Sequence, residues 1–419
     1  MAHREYIERL VDPWLSELVG DVPAVMLVGP RAAGKTTTAA RLARTVLRLD
    51  DRNVRGAVAA DPDSVLRDAD PPVLVDEWQL APDVLAATKR LVDADPSPGR
   101  FLLAGSAADD MDRQQWPGTG RVIRVPLWSL TQRELNAKVA GPTFLDRIVE
   151  EIDATGDVTF PLPAHRPNTA EYVDLALASG FPEALARGSS RTRSAWLDSY
   201  LDHLIGRDVA LVADVRDPGK LRRHLRAVAA STASSPTLVT LAEASGVDRS
   251  TIERYDLVLE RLFVAEQVPG WSSNRLTRVT RRAKRYICDP ALAASALGAD
   301  RRSVLRNADL LGRLIDTFVA GQLRPELTLG TRPAAMFHLR EQSGRREIDL
   351  VLERRDGAIV AIEVKAASAV DERDARHLAW LRDQLPAGEL KAGLVLYTGT
   401  LARPLGRRLW AVPICALWA

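Results

Sequence analysis

The chain alternates short, unbroken apolar runs with longer amphipathic stretches, a pattern that predicts strands joined by helices. Residues 4–19 place Tyr6, Ile7, Leu10, Val11, Trp14, Leu15 and Leu18 at the spacing of one helix face. Pro23-Ala-Val-Met-Leu-Val28 follows, as expected of a strand buried on both faces. Thr37 to Leu47 reads as a helix, and another is expected to begin near Pro82. Pro72–Asp76, Arg100–Ser106 and Val122–Val125 read as further strands. Residues 137–168, with Gly141-Pro142, Pro161, Pro163 and Pro167, read as a linker or lid boundary. Residues 220–270 read as helices. Within them Leu241–Tyr255 has a helix-turn-helix pattern, with its turn at Gly246 and a second helix capped by Asp248 or Ser250. Trp271–Tyr286 then reads as a β-wing. From Ser303 the expected order is a helix to about Leu323, strands over 334–340, 347–353 and 358–366, a helix over 371–385, a strand over 390–397, and a last apolar segment over 409–418.

Between the first strand and its helix lies Gly29-Pro30-Arg31-Ala32-Ala33-Gly34-Lys35-Thr36. G-x4-G-K-T in a strand–loop–helix setting is the pattern of a phosphate-binding loop. Its glycines let successive backbone N–H groups face phosphate oxygens, and the helix start adds partial positive charge. Lys35 is expected to reach the β- and γ-phosphates and the Thr36 hydroxyl to ligate Mg²⁺, with Thr37 beside it, so the implied ligands are ATP and Mg²⁺. Asp76 and Glu77 end the next apolar run. Asp76 is expected to hold the Mg²⁺ shell and Glu77 to polarise the attacking water as general base; an acidic strand end that caps a helix accounts for the same two residues without chemistry. Ser106 is a candidate sensor of the γ-phosphate. Arg121 is a candidate arginine finger, acting in cis or on a neighbouring copy; the latter requires a homo-oligomer.

At 419 residues the chain suits two to three domains, and its 46% apolar content supplies ordinary cores. Its two cysteines, Cys288 and Cys415, lie far apart, which disfavours a disulfide scaffold or a cysteine zinc site and fits a cytoplasmic protein. No run is long and apolar enough to cross a membrane. A net charge of +2 excludes nucleic-acid binding by bulk charge, so DNA contact has to rest on a local patch. The wing supplies one: Arg275, Arg278, Arg281, Arg282, Lys284 and Arg285, with no acid among them. Such a wing suits DNA phosphates, and winged helices serve equally as modules for a protein partner.

The series GPRAAGKT, LRLDD, VLVDEWQ, FLLAGSA, GTGRV and PLWSLTQREL, in that order across residues 1–136, resembles a family of prokaryotic AAA-type P-loop ATPases that carry a C-terminal DUF4143 domain. GFPEAL (residues 180–185) and YLDHLIGRDV (residues 200–209) resemble further signatures of that family, although the helical spacing of the second makes core its default reading. The resemblance implies ATP binding and an AAA-like core.

In the last third, Ile348-Asp349-Leu350 and Ile362-Glu363-Val364-Lys365 resemble the PD-(D/E)xK nuclease superfamily, in motif and in element order. Period two puts Glu363 and Lys365 on one strand face, and a short hairpin around Arg354–Gly357 would set Asp349 opposite Glu363. Two facing carboxylates beside a lysine suit Mg²⁺ and phosphodiester cleavage. Asp316 falls where related proteins usually show Glu. An exposed Glu–Lys pair and a nuclease-like fold without activity are the competing readings.

The expected fold class is α/β in parts: a P-loop AAA-like domain over 1–136, a linker and helical region over 137–215, a winged-helix-like domain over 216–300, and a restriction-endonuclease-like domain over 301–419. Three functions fit: an ATPase whose hydrolysis of MgATP switches the C-terminal module, an ATP-gated metal-dependent nuclease, and a nucleotide-dependent DNA- or protein-binding module with incidental turnover.

Overall fold

The computed structural model describes residues 5–105, 120–213, 215, 217–341 and 345–419. Five short strands, β1 (Ala24–Val28), β2 (Thr45–Arg48), β3 (Val73–Asp76), β4 (Phe101–Ala104) and β5 (Val122–Pro126), form an all-parallel sheet in the order β2-β3-β4-β1-β5. The central three are buried along their whole length, as their unbroken apolar runs require, and the two edge strands are partly exposed. Met26, Val75 and Leu103 pack into one apolar layer, while Val25, Leu27, Leu74 and Leu102 pack into the other.

Two expectations for this region need correction. The first helix spans Asp12–Asp21, not residues 4–19, because Pro13 sits in its first turn and fixes the start there. The helix after the P-loop ends at Ala40; β-branched Thr45 and Val46 belong to edge strand β2.

Residues 5–11 instead run across the P-loop, tied down by Arg9. Its buried guanidinium donates to Glu134 Oε1 at 2.9 Å, to the Ala33 carbonyl at 2.9 Å and to the Trp128 carbonyl at 2.6 Å. Glu134 also closes a capping box with Thr131. Segment 126–136, which begins with the PLWSLTQREL stretch (residues 126–135), therefore grips the phosphate loop from outside. It grips the rest of the chain as well: Leu130 N–H donates to Gly180 O at 2.7 Å, Gln132 N–H to Gln322 Oε1 at 2.6 Å, and Arg133 to Glu326 at 2.9 Å.

The middle of the chain is helical. Helices Leu238–Ser245 and Arg249–Arg261 flank Gly246, whose φ of 65° makes the turn, and Asp248 rather than Ser250 caps the second, accepting from Thr251 N–H at 2.8 Å. Strands β6 (Ala265–Val268) and β7 (Lys284–Ile287) pair antiparallel; of the β-wing expected over Trp271–Tyr286, residues Arg275–Thr280 are a helix and β7 begins only at Lys284.

Strands β8 (Ala334–Arg340), β9 (Glu347–Arg354), β10 (Ile359–Lys365), β11 (Leu390–Tyr397), β12 (Arg403–Gly406) and β13 (Leu409–Pro413) form a mixed sheet in the order β12-β13-β11-β10-β9-β8. Helix Ala308–Leu323 covers one face and helix Arg376–Gln384 the other. Helix Phe144–Thr155 lies in the expected linker, yet buries Phe144, Leu145, Ile148, Val149 and Ile152 in the core of this same sheet. Asp146 on that helix pairs with buried Arg354 at 3.1 Å. The glycines and prolines around it mark its ends and not a flexible tether.

Removing one partner of a buried ion pair strands the other charge. Arg9→Ala is accordingly expected to cost about 3–5 kcal/mol of stability, measured by urea denaturation; a cost below about 1 kcal/mol would mean that Arg9 is not what holds segment 126–136 to the loop.

Candidate functional site

The P-loop leaves the C-terminal end of β1 and needs glycine at two positions. Gly29 has φ +148°, and a Cβ there would meet the Leu127 carbonyl oxygen at 2.0 Å. Gly34, at φ +101°, caps the helix Lys35–Ala40. Lys35 is buried, and its Nζ donates to the Gly29 and Pro30 carbonyls at 2.9 and 2.8 Å. Burial pushes this ammonium down to about 8, with Glu77 and Asp76 opposing the shift. Thr36 Oγ1 donates to Asp76 Oδ1 at 2.8 Å, so the two residues expected to hold the metal are one hydrogen bond apart. Burial raises the Asp76 carboxyl. Glu77 follows with a left-handed backbone, φ 53°, a conformation that costs roughly 1–2 kcal/mol outside glycine, and its carboxylate accepts from Gln79.

These groups open into a cleft of about 760 Å³ that includes Arg31, Ala32, Gly34, Lys35, Thr36, Thr37, Asp76, Glu77 and Gly105. One wall comes from the N-terminal segment, through Tyr6, Ile7 and Arg9. The facing wall comes from the middle helices, through Pro182, Glu183, Leu185 and Ala186. Gly180, the first residue of GFPEAL, lets that wall approach: a Cβ there would lie 2.3 Å from the Leu130 carbonyl oxygen. Behind the wall Phe181, Trp196 and Tyr200 form an aromatic cluster, with ring centroids 5.1 Å apart for Phe181–Tyr200 and 5.3 Å for Trp196–Tyr200. The Tyr200 hydroxyl donates to the Arg31 carbonyl at 3.3 Å, and the Arg31 guanidinium pairs with Asp208. Asp208 ends a π-helical turn, Leu204–Asp208. The default core reading of YLDHLIGRDV thus accounts for Leu201, Leu204 and Ile205, while Tyr200 and Asp208 touch the P-loop itself.

Other expected site residues lie elsewhere. Arg121 immediately precedes β5, whose Val122 pairs with Ala24 at the opposite end of β1 from the P-loop, and it binds Asp93 at 2.8 Å. Action in cis on this chain's own nucleotide is therefore ruled out by the direction of the sheet. Ser106, Gly118 and Thr119 lie outside the described residues. The basic patch breaks up. Lys284 and Arg285 are buried, Arg285 pairing with Asp256 at 2.6 Å, so neither faces a DNA backbone. Arg278 binds Glu353 at 2.8 Å beneath Phe337. Arg281 donates to Arg340 O at 3.0 Å and Arg282 to Ser235 O at 3.3 Å; the Arg275 side chain lies outside the described residues.

Asp316, Asp349, Glu363 and Lys365 do converge. The β9–β10 register pairs Ile362 with Leu350, which carries Glu363 to the position opposite Asp349. Val364 N–H donates to Asp349 Oδ2 at 2.9 Å, and Lys365 binds Glu363 Oε1 at 2.8 Å. Burial raises Asp316 and Glu363 above the usual carboxylate range. Lys284 joins them, 2.6 Å from Asp316 and 2.9 Å from Asp349. Burial alone would push its ammonium down; these two carboxylates outweigh it and hold it above the ordinary value.

The sheet and loop define a P-loop nucleotide-binding protein. Residues 21–136 match the family model described as an AAA domain, residues 311–417 the domain of unknown function DUF4143, and residues 169–303 the domain of unknown function DUF8612. By these matches the chain carries an AAA-type P-loop domain followed by a C-terminal DUF4143 domain. Two uncharacterized proteins, Mb2031c of Mycobacterium bovis and Rv2008c of Mycobacterium tuberculosis, are each 29% identical to it over 396 residues, 93% of this chain and 80% of the relative. Among solved structures, the Walker-type ATPase PABY2304 of Pyrococcus abyssi is 14% identical with a TM-score of 0.43, over 70% of this chain and 96% of that one. AMPPCP-bound DnaA of Aquifex aeolicus is 14% identical with a TM-score of 0.26, over 60% and 86%. Those likenesses are distant, and the nucleotide assignment rests on the loop and on the AAA match.

Because its Cβ has no room, Gly29→Ala is expected to weaken ATP binding roughly tenfold to a hundredfold, read with a fluorescent ATP analogue. Gly20→Ala, where nothing lies within 4 Å of the added carbon, serves as the control and should bind as the parent does. Equal affinity in both variants would contradict the close approach to Leu127.

Proposed function

We propose that the chain hydrolyses MgATP and that the state of its phosphate loop is read directly by the middle helices. Support for nucleotide chemistry comes from the cleft. Lys35 already donates to two loop carbonyls, and the phosphates of ATP would replace Gly29 and Pro30 as its acceptors. The Thr36 hydroxyl and the Asp76 carboxylate, hydrogen-bonded to each other on one side of the cleft, suit a hard cation and would hold Mg²⁺. Bound there, the ion would neutralise charge on the β- and γ-phosphates. Glu77, beside Asp76 in the same cleft, would orient and deprotonate the attacking water.

The observation that carries the switching part is the Arg31–Asp208 ion pair. Arg31 is a residue of the loop itself, so a triphosphate entering the loop competes with Asp208 for its guanidinium. Tyr200 holds the carbonyl of the same residue. Any change in the loop is therefore felt two ways by one helix, Ser190–His203, and by the π-helical turn that follows it. Single π turns recur at functional sites, where the widened helix sits close to rearrangement.

The test has two arms. Lys35→Ala should bind ATP at least roughly a hundredfold more weakly, and Glu77→Gln should bind it with near-normal affinity but turn it over roughly a hundredfold or more slowly. In hydrogen–deuterium exchange, ATP should alter protection over residues 196–209 in the parent and not in Asp208→Asn. Retained tight binding by Lys35→Ala removes the nucleotide reading; an identical exchange response in Asp208→Asn removes the coupling route.

A further inference from the structure

The acidic pocket on the C-terminal sheet has the residue types of a divalent-metal site, and its carboxylate oxygens can be accounted for one by one. Asp316 uses Oδ2 on Lys284 Nζ at 2.6 Å and Oδ1 on the Tyr286 hydroxyl at 2.9 Å. Asp349 uses Oδ1 on the same Nζ at 2.9 Å and Oδ2 on Val364 N–H at 2.9 Å. Glu363 uses Oε1 on Lys365 at 2.8 Å. Only Glu363 Oε2 is left, buried and without a partner. A magnesium-like ion is held by one or two carboxylates and completes its roughly six oxygens with water; here both aspartates already share one ammonium, and one carboxylate oxygen of the three residues is not engaged. Among the described residues no group of three or more His, Cys, Asp or Glu is placed to hold a metal ion.

The cation that is present comes from outside the sheet. Lys284 opens β7, a strand of the middle region, and its side chain is 1% exposed. It is not a removable lid. All four residues of β7 are buried, and Tyr286 packs in the same apolar core as Ile315, Phe318, Leu350 and Ile362. The strand is also fixed on both sides, by its ladder to β6 and by the Arg285 N–H to Ser234 O bond of 2.8 Å. Withdrawing the ammonium would open the core of the domain.

We infer that this pocket is not a divalent-cation site in this chain: the ammonium of Lys284 is its built-in cation, and the pocket locks β7 onto the C-terminal sheet. Metal-assisted phosphodiester cleavage is thereby removed from the pocket's chemistry, because a divalent ion on Asp316 and Asp349 would sit against the buried Lys284 ammonium that already neutralises them. The superfamily-like arrangement of Asp349, Glu363 and Lys365 persists as an ion-pair network with a mechanical role.

Manganese uptake by the full chain without nucleotide, followed by the paramagnetic resonance of free Mn²⁺, tests the first half. The parent and Asp349→Asn should take up the same amount; an equivalent bound by the parent and lost in Asp349→Asn would overturn the inference. Thermal melting tests the second half. Lys284→Met should lower the midpoint by roughly 5–10 °C, because it leaves two carboxylates facing each other in the core. Lys284→Met with Asp349→Asn should melt higher than Lys284→Met alone; a double variant whose loss equals the sum of the two single losses would overturn the lock. If Lys284→Met does not fold, the manganese comparison, which needs no lysine variant, still decides.

Discussion

A charge taken out of water costs several kcal/mol unless an opposite charge or a set of dipoles is already in place to meet it. This chain buries cations at each of its seams, and in each case the partner comes from a distant part of the sequence. Arg9 meets Glu134 and two carbonyls around the P-loop, Arg133 meets Glu326, Arg354 meets Asp146, and Lys284 meets Asp316 and Asp349. None of these pairs is strong evidence of added stability, since an apolar contact of the same size would do as well. Their effect is on arrangement: each one penalises any packing in which its two segments are apart.

Seen this way, segment 126–136 is the joint of the molecule. It receives the chain from β5, holds the phosphate loop through Arg9 and Glu134, and holds both other regions through Leu130, Gln132 and Arg133. The nucleotide cleft sits beside this joint, and one of its walls belongs to the middle helices. A change in the loop thus has two outlets. The outlet through segment 126–136 is buried and multiply bonded. The outlet through Arg31 and Asp208 is a single ion pair with a half-exposed guanidinium. The second is the softer of the two and the one suited to change with nucleotide state.

The parts legible in sequence were those with local causes. G-x4-G-K-T between an apolar run and a helix gave the P-loop, and Asp76 and Glu77 stood out as two acids at the end of a buried strand. The β9–β10 hairpin and its facing Asp349 and Glu363 followed from period two and a short turn. What could not be read were long-range charges. Nothing near Lys284 in the sequence distinguishes it from Arg281 and Arg282, and only the fold puts it between Asp316 and Asp349. The cis reading of Arg121 failed for a similar reason, since strand direction is invisible in a motif. Arg9 and Glu134 were missed, although the Thr131–Glu134 capping-box spacing was there to be noticed. The helix Phe144–Thr155 was hidden by the prolines and glycines at its borders, which drew attention away from its apolar positions at i, i+1, i+4, i+5 and i+8.

The central claim is that the nucleotide loop and the middle helices act on each other at Arg31, chiefly through its ion pair with Asp208. A double-mutant cycle on Arg31 and Asp208, with the steady-state rate of MgATP hydrolysis as readout, measures that interaction apart from whatever each residue does alone. The account predicts strong coupling: Arg31→Ala and Asp208→Ala each change the rate, and the double variant departs no further from the parent than the worse single one. If the two effects instead multiply, the residues act independently, and the route from the phosphate loop to the middle helices does not run through them.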